Sequence, residues 1–256
     1  MPIAITTIST CSVRCGYCPQ PVFAKAYKGE PIMSMDTFIE CLKKIPNNVD
    51  VSYGGFAEPW GNKNATDMVV ESAKKHRTNV FTTLKGMSVE DAKRIANIPF
   101  RIFCIHLPDK TMNIELTEEY FKVLKICMSF KNIGTSLWGK TDGRVISITG
   151  RKTHASINGG YSRGGNVKNA GRQINLTGPV SCGNFVGVPR VSMLLPDGTV
   201  TLCCMDYQMK HILGNLKTQN YESLFIGEGA KVVEDGFRGK QRILCHSCEI
   251  AKRRVL

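Results

Sequence analysis

The chain has 256 residues, enough for one large domain or a core with a small appendage, and its 42% hydrophobic and 21% charged residues exclude wholesale disorder. No apolar run reaches the roughly 18 residues of a membrane span, and the start, MPIAITTIST, has neither the basic region nor the cleavage site of a secretory signal. The net charge of +13 suits an anionic partner, and the eleven cysteines, in a chain expected to stay in the reducing cytoplasm, point to metal rather than disulfides.

Strand and helix patterns alternate through the first half. Ile3–Ser9 is a β-branched run. Met35–Ile45 sets Phe38, Cys41, Leu42 and Ile45 on one helical face, and Val49–Tyr53 is a short strand. Ala65–His76 is a helix, Asn79–Leu84 a strand, and Ser88–Ala96 a helix opened by Ser88 with Asp91 three residues on, close to a capping box. Phe100–Leu107 is a strand stopped by Pro108, Thr117–Phe130 a helix with an acidic start, and Ile133–Trp138 a fifth strand. This βαβα order predicts an α/β fold with a parallel sheet, open or closed into a partial barrel, and chemistry at the carboxyl ends of the strands.

The character changes after Lys140. Positions 143–196 contain no Asp or Glu but hold Arg144, Arg151, Lys152, Arg163, Lys168, Arg172 and Arg190, with glycines at Gly159, Gly160, Gly164, Gly165 and Gly171. An anionic substrate would suit this stretch. Its few aromatics, Tyr161 and Phe185, argue against nucleic acid. Arg190–Leu195, the turn Pro196-Asp197-Gly198 and Thr199–Cys203 form a hairpin signal, short helical pieces follow, and a domain boundary falls near residue 175.

Cys11, Cys15 and Cys18 follow directly on the first strand. Three thiolates can hold a four-iron cubane and leave one iron open to a small molecule, whereas structural zinc takes four protein ligands and no Cys or His follows before Cys41. With Arg14 and Gly16 between them, the three are poor candidates for plain core cysteines.

This C-x3-C-x2-C spacing, with Tyr17 before the last cysteine, resembles the radical S-adenosylmethionine (radical SAM) superfamily. The resemblance implies a partial (β/α) barrel. It also implies a [4Fe–4S] cluster on Cys11, Cys15 and Cys18 whose open iron chelates S-adenosylmethionine, and reductive cleavage to a 5′-deoxyadenosyl radical that abstracts a substrate hydrogen. Gly54-Gly55-Phe56-Ala57-Glu58-Pro59 resembles the family's GxGEP segment, with Ala57 where glycine is commoner. Glycine there lets backbone approach the methionine moiety, and the acid can balance its ammonium. Weaker cofactor candidates are Thr82 and Thr83 at the third strand end. His106 at the fourth strand end reads either as a ribose contact or as a structural histidine. Arg163 reads either as a partner for a carboxylate or anionic substrate or as a solvated loop residue.

A second set comprises Cys182, Cys203, Cys245 and Cys248, with Cys204 a rival to Cys203. By spacing alone four thiolates suit a zinc ribbon or an iron–sulfur cluster. The run from Cys182 through Gly198 to Cys203 resembles the SPASM/Twitch extension of radical SAM enzymes. That implies a core over 1–175 and a small α+β extension over 176–256 carrying one auxiliary [4Fe–4S] cluster. Cys41, Cys104 and Cys127 sit in apolar patterns and read as core.

The resemblance further implies an oxidoreductase of the dehydrogenase type, in which hydrogen abstraction is followed by oxidation through the auxiliary cluster. A one-electron donor such as flavodoxin or ferredoxin would feed it. The alternative is a maturase that forms a crosslink or thioether in a ribosomal peptide. Only ten residues precede Cys11, which tilts the expectation toward a small-molecule substrate.

Overall fold

The computed structural model describes residues 1–150, 162–168, 173–183 and 191–254. Arg151, Lys152, Gly159, Gly160, Tyr161, Gly171, Arg172, Phe185 and Arg190 lie outside the described residues. Strand β1 (Ile3–Ile5) leads into the cysteine loop and helix α1 (Gln20–Ala26). Then come α2 (Met35–Lys44), β2 (Val51–Tyr53), α3 (Ala65–Ala73), β3 (Thr78–Thr82), α4 (Val89–Ile95), β4 (Ile102–His106), α5 (Glu118–Cys127), β5 (Ile133–Ser136) and α6 (Gly143–Thr149). The second half supplies β6 (Val180–Cys182), β7 (Ser192–Leu194), β8 (Thr199–Thr201), β9 (Ile212–Asn215), α7 (Glu228–Phe237) and β10 (Ala251–Arg253).

The eight-stranded sheet runs β5-β4-β3-β2-β1-β7-β8-β9. β1 to β5 are parallel, β7 joins β1 in parallel with Ile3 opposite Ser192, and β7, β8 and β9 follow antiparallel. Among the described residues the sheet therefore does not close, and β5 and β9 are its edges. It also crosses the sequence boundary expected near 175, because β1 carries β7 of the C-terminal segment on its other side. β6 and β10 form a separate antiparallel pair with Cys182 opposite Ala251. Among the described residues no helix is long and apolar enough to cross a membrane.

The helices form where sequence periodicity and caps agree. α2 is capped by Ser34 and buries Phe38, Cys41 and Leu42; each such side chain contributes about 1.5–3 kcal/mol. Ser88 and Asp91 complete a capping box on α4, and the Thr117 side chain caps α5. The strands stop short of their sequence runs because the next residues bind elsewhere. The Thr7 hydroxyl donates to Pro59 O at 2.8 Å, and Leu84 turns to φ 66° while its N–H donates to the Thr82 hydroxyl at 2.8 Å.

Candidate metal and cofactor site

The loop carrying Cys11, Cys15 and Cys18 leaves the carboxyl end of β1 and is anchored on both sides. Behind it, Ser9 N–H donates to Pro31 O at 2.8 Å, and the Gln20 side chain donates to Ser9 O at 2.9 Å. In front, Asn113 accepts the Arg14 N–H at 2.6 Å and donates to Ser12 O at 3.0 Å. Lys85 bridges Ser12 O and Asn113 O at 3.3 and 3.2 Å, and Gly16 N–H donates to the Thr111 hydroxyl at 3.4 Å. A Cβ on Gly16 would lie 3.2 Å from Thr111 Cβ, so the loop approaches closely there. The Cys18 N–H folds back to Cys15 O at 3.0 Å.

All three thiols are half-buried. Burial pushes each one's pKa up, that of Cys15 to about 12, with the neighbouring Cys18 and Cys11 adding repulsion. Backbone N–H groups of Glu58 and Val13 reach the Cys11 sulfur, and the Cys18 sulfur has the Gln20 N–H, the Arg163 charge and the Tyr207 hydroxyl beside it. Tyr17 packs on Trp138 with ring centroids 5.2 Å apart.

The turn after β2 lies alongside. Gly54 and Gly55 have φ 138° and 93°, and a Cβ on Gly55 would meet Met193 Cε at 2.1 Å and Thr6 Oγ1 at 3.1 Å. Gly55 is exposed, so its backbone faces outward at the strand end. Pro59 is buried and opens a short 3-10 turn. Glu58 does not face that opening with a free carboxylate. It is buried and accepts from the Thr82 hydroxyl, from Thr83 N–H at 2.7 Å and from the Thr83 hydroxyl at 2.8 Å. Burial raises its pKa against these three donors. Glu58 and Thr83 thus tie the β2 turn to the end of β3.

His106 closes β4 with Nδ1 2.5 Å from the Ser136 hydroxyl, and burial, then the Arg163 charge, hold its pKa down to about 4. Arg163 has φ 53° and sits among Tyr207, Cys204, Cys18 and Tyr17, whose negative forms raise its pKa against the cost of burial. Arg144 instead turns to Asp142 at 3.1 Å and lies over the Phe121 ring, and Lys168 is exposed.

The second cysteine set gathers from three separate pieces. Cys182 ends β6 and is exposed, Cys203 follows β8, Cys245 lies within the 3-10 turn Leu244–Ser247 and Cys248 directly follows it. Burial raises the pKa of each of Cys203, Cys204 and Cys248, that of Cys248 to about 11. Cys203 is coupled to Cys204 and Cys245, Cys248 to Cys182, and Cys204 to Arg163 and Cys182. Cys41 and Cys127 are core, and Cys104 lies half-buried on β4.

Both sets fit iron–sulfur clusters by their chemistry. Neighbouring thiols that repel one another as thiolates need positive charge among them, and a cluster's irons would supply it. Among the described residues no three cysteines, histidines or carboxylates group tightly enough for a single metal ion; a cubane asks for a wider arrangement, one sulfur to each corner.

Comparison with known proteins agrees. Residues 182–249 match the SPASM iron-sulfur cluster-binding domain. No sequence among the curated proteins matches the chain. The fold is similar to that of BtrN in complex with AdoMet and 2-DOIA (TM-score 0.62, 14% identity, 98% of this chain and 92% of that one). It is also similar to anSMEcpe with bound AdoMet (0.57, 11%, 97% and 88%). A third likeness is to Streptococcus suis SuiB bound to the precursor peptide SuiA (0.62, 12%, 97% and 69%). The chain has the partial-barrel fold of the radical SAM enzymes and carries a C-terminal SPASM extension. The matched domain is an iron-sulfur cluster-binding one, and the structures of BtrN and anSMEcpe hold AdoMet.

Sequence reasoning passed over Asn113, Lys85 and Thr111, which hold the cysteine loop from 73 to 101 residues away, and Trp138 and Tyr207, which line it. No local pattern marks such long-range contacts.

Proposed function

We propose that the chain is a radical SAM oxidoreductase that removes a hydrogen atom and then an electron from its substrate. The observation that carries this reading is the gathering of Cys11, Cys15 and Cys18 at the carboxyl end of β1, beside the turn of Gly54 and Gly55, whose Gly55 backbone is exposed. A cluster held by Cys11, Cys15 and Cys18 would supply an electron for reductive cleavage of S-adenosylmethionine, and one held by the second set would accept an electron from the substrate.

The chain's own residues bind and orient. Cys11, Cys15 and Cys18 hold the first cluster; Cys182, Cys203, Cys245 and Cys248 hold the auxiliary one. The Gly54–Gly55 backbone receives the methionine moiety, Glu58 and Thr83 fix that turn from behind, and Tyr17 on Trp138 shields the loop from water. Neutral His106 offers a ring nitrogen to a hydroxyl rather than a charge. Arg163, the cation beside Cys18, orients a carboxylate or another anionic group.

A small-molecule substrate is supported by the likeness to BtrN, whose structure holds 2-DOIA. A flavodoxin or ferredoxin would deliver the electron. Peptide modification is the second reading, favoured by the SuiB likeness.

Anaerobic reconstitution should give about eight irons per chain, four for each cubane, and 5′-deoxyadenosine on reduction with S-adenosylmethionine. Release that survives Cys11→Ala would end the proposal. Deuterium transfer to 5′-deoxyadenosine from labelled amino sugars or alcohols, set against labelled peptides, separates the two substrate classes.

A further inference from the structure

We propose that His211 and His246 are positioning residues that draw together the three chain pieces bearing Cys182, Cys203, Cys245 and Cys248 before metal enters; the proposal rests on reading those four as a cluster site. The pieces lie far apart in sequence, so closing them costs loop entropy that some interaction must offset.

His211 joins the second piece to the third. Its Nε2 accepts the N–H of Leu244, the residue before Cys245, at 3.0 Å. That fixes the tautomer with the proton on Nδ1, a buried atom without a partner among the described residues. The His211 N–H donates to Asp206 Oδ2 at 2.8 Å, and Lys210 N–H donates to Asp206 Oδ1 at 2.9 Å. Asp206, fully buried, donates its own N–H to Cys203 O at 3.0 Å. An unbroken chain of hydrogen bonds therefore runs from Cys203 through Asp206 and His211 to the residue beside Cys245.

His246 joins the first piece to the third. It stands between the two cysteines of Cys245-His246-Ser247-Cys248 and is buried. Its Nδ1 accepts the Ile243 N–H at 3.1 Å and its Nε2–H donates to Gly178 O at 3.1 Å. Its carbonyl accepts the Leu176 N–H at 2.8 Å, and Gly183 N–H donates to Ile250 O at 2.9 Å, just past Cys182 and Cys248. Each ring offers a nitrogen that accepts a backbone N–H. A carboxylate in either place would bury a negative charge beside thiolates.

The test uses the full chain in a Cys11→Ala, Cys15→Ala, Cys18→Ala background, so that only the second set can hold iron. His211→Leu and His246→Leu should lose iron to a ferrous chelator about tenfold faster than that parent. His211→Gln and His246→Asn, which restore an acceptor, should stay within about threefold of it. Leucine variants that keep four irons and the parental stripping rate would overturn the proposal. Hydrogen exchange on the metal-free wild-type chain is the second measurement and does not depend on any variant folding. The Ile243 and Leu244 amides should be protected without metal, and exchange there at the rate of open chain would overturn the proposal as well. A parent that binds zinc or no iron refutes the cluster reading, while the exchange experiment still decides on the histidines.

Discussion

Replacing Glu58 with glutamine distinguishes a latch from a cofactor contact. The carboxylate accepts three hydrogen bonds, from Thr82 and twice from Thr83, while the Thr82 hydroxyl oxygen also accepts the Leu84 N–H at 2.8 Å. A glutamine that keeps its oxygen toward Thr83 turns its NH2 toward Thr82, whose hydroxyl proton then has no acceptor. The opposite flip sets two donors face to face at Thr83. One charge-assisted bond is lost, about 1.5–3 kcal/mol, offset in part because no buried charge remains to be desolvated. The net loss should be about 1–2 kcal/mol, which lowers the melting temperature by roughly 2–8 °C for a chain of this size. Glu58→Ala leaves a buried N–H and two hydroxyls without their acceptor and should cost more, about 3 kcal/mol or above. Anaerobic calorimetry and S-adenosylmethionine titration of the same preparations read both quantities. If Glu58→Gln melts with the wild type but binds S-adenosylmethionine more than tenfold more weakly, the carboxylate contacts the cofactor and the latch argument is wrong.

Three further outcomes follow from the same geometry. Tyr207→Phe removes the hydroxyl that donates to the Cys18 sulfur; a bond of about 0.5–1.5 kcal/mol corresponds to a reduction potential roughly 20–65 mV more negative for the first cluster, and an unchanged midpoint in a redox titration followed by electron paramagnetic resonance refutes it. His106 binds its proton only near pH 4 when folded, against about 6.5 when unfolded; the unfolded chain holds more protons between these values, so stability falls as pH drops through that window, by at most about 3 kcal/mol at its lower end. Urea midpoints of His106→Gln should fall less steeply from pH 6.5 to 4 than those of the wild type, and parallel curves count against it. Cys203, coupled to Cys245, is the expected ligand, so Cys203→Ser should lower the iron count by about four while Cys204→Ser leaves it unchanged, and the reverse result assigns the site to Cys204.

The parallel α/β order was legible because its signals are local. The spacing of Phe38, Cys41 and Leu42 and the Ser88–Asp91 box each lie within one or two helical turns. Helices α1 and α6 carry local signals too, Pro21 in the first turn of one, Asp142 and left-handed Gly150 at the ends of the other, but the cysteines and the basic stretch drew the reading away from them. At the site, the cysteine spacings name candidate ligands. They could not fix what holds them, since Asn113 reaches Ser12 across 101 residues. Glu58 shows the same limit: its motif marks the right turn, but only the fold shows its oxygens committed to β3.

The continuity of the sheet bears on how the two cysteine sets cooperate. β7 is bonded to β1, the strand that launches Cys11, Cys15 and Cys18, and β7 turns through β8 into Cys203. Four residues on, Tyr207 is buried among Ala4 of β1, Phe23 of α1 and Phe56, its ring 4.6 Å from that of Phe56, with its hydroxyl at Cys18. The Arg163 charge is felt by both Cys18 and Cys204. The C-terminal segment is thus a wall of the first site rather than a module tethered beside it. Trimming the chain before residue 182 would strip β1 of a neighbour and expose Ala4, Phe23 and Phe56, so the first cysteine set should not assemble without the second half of the chain.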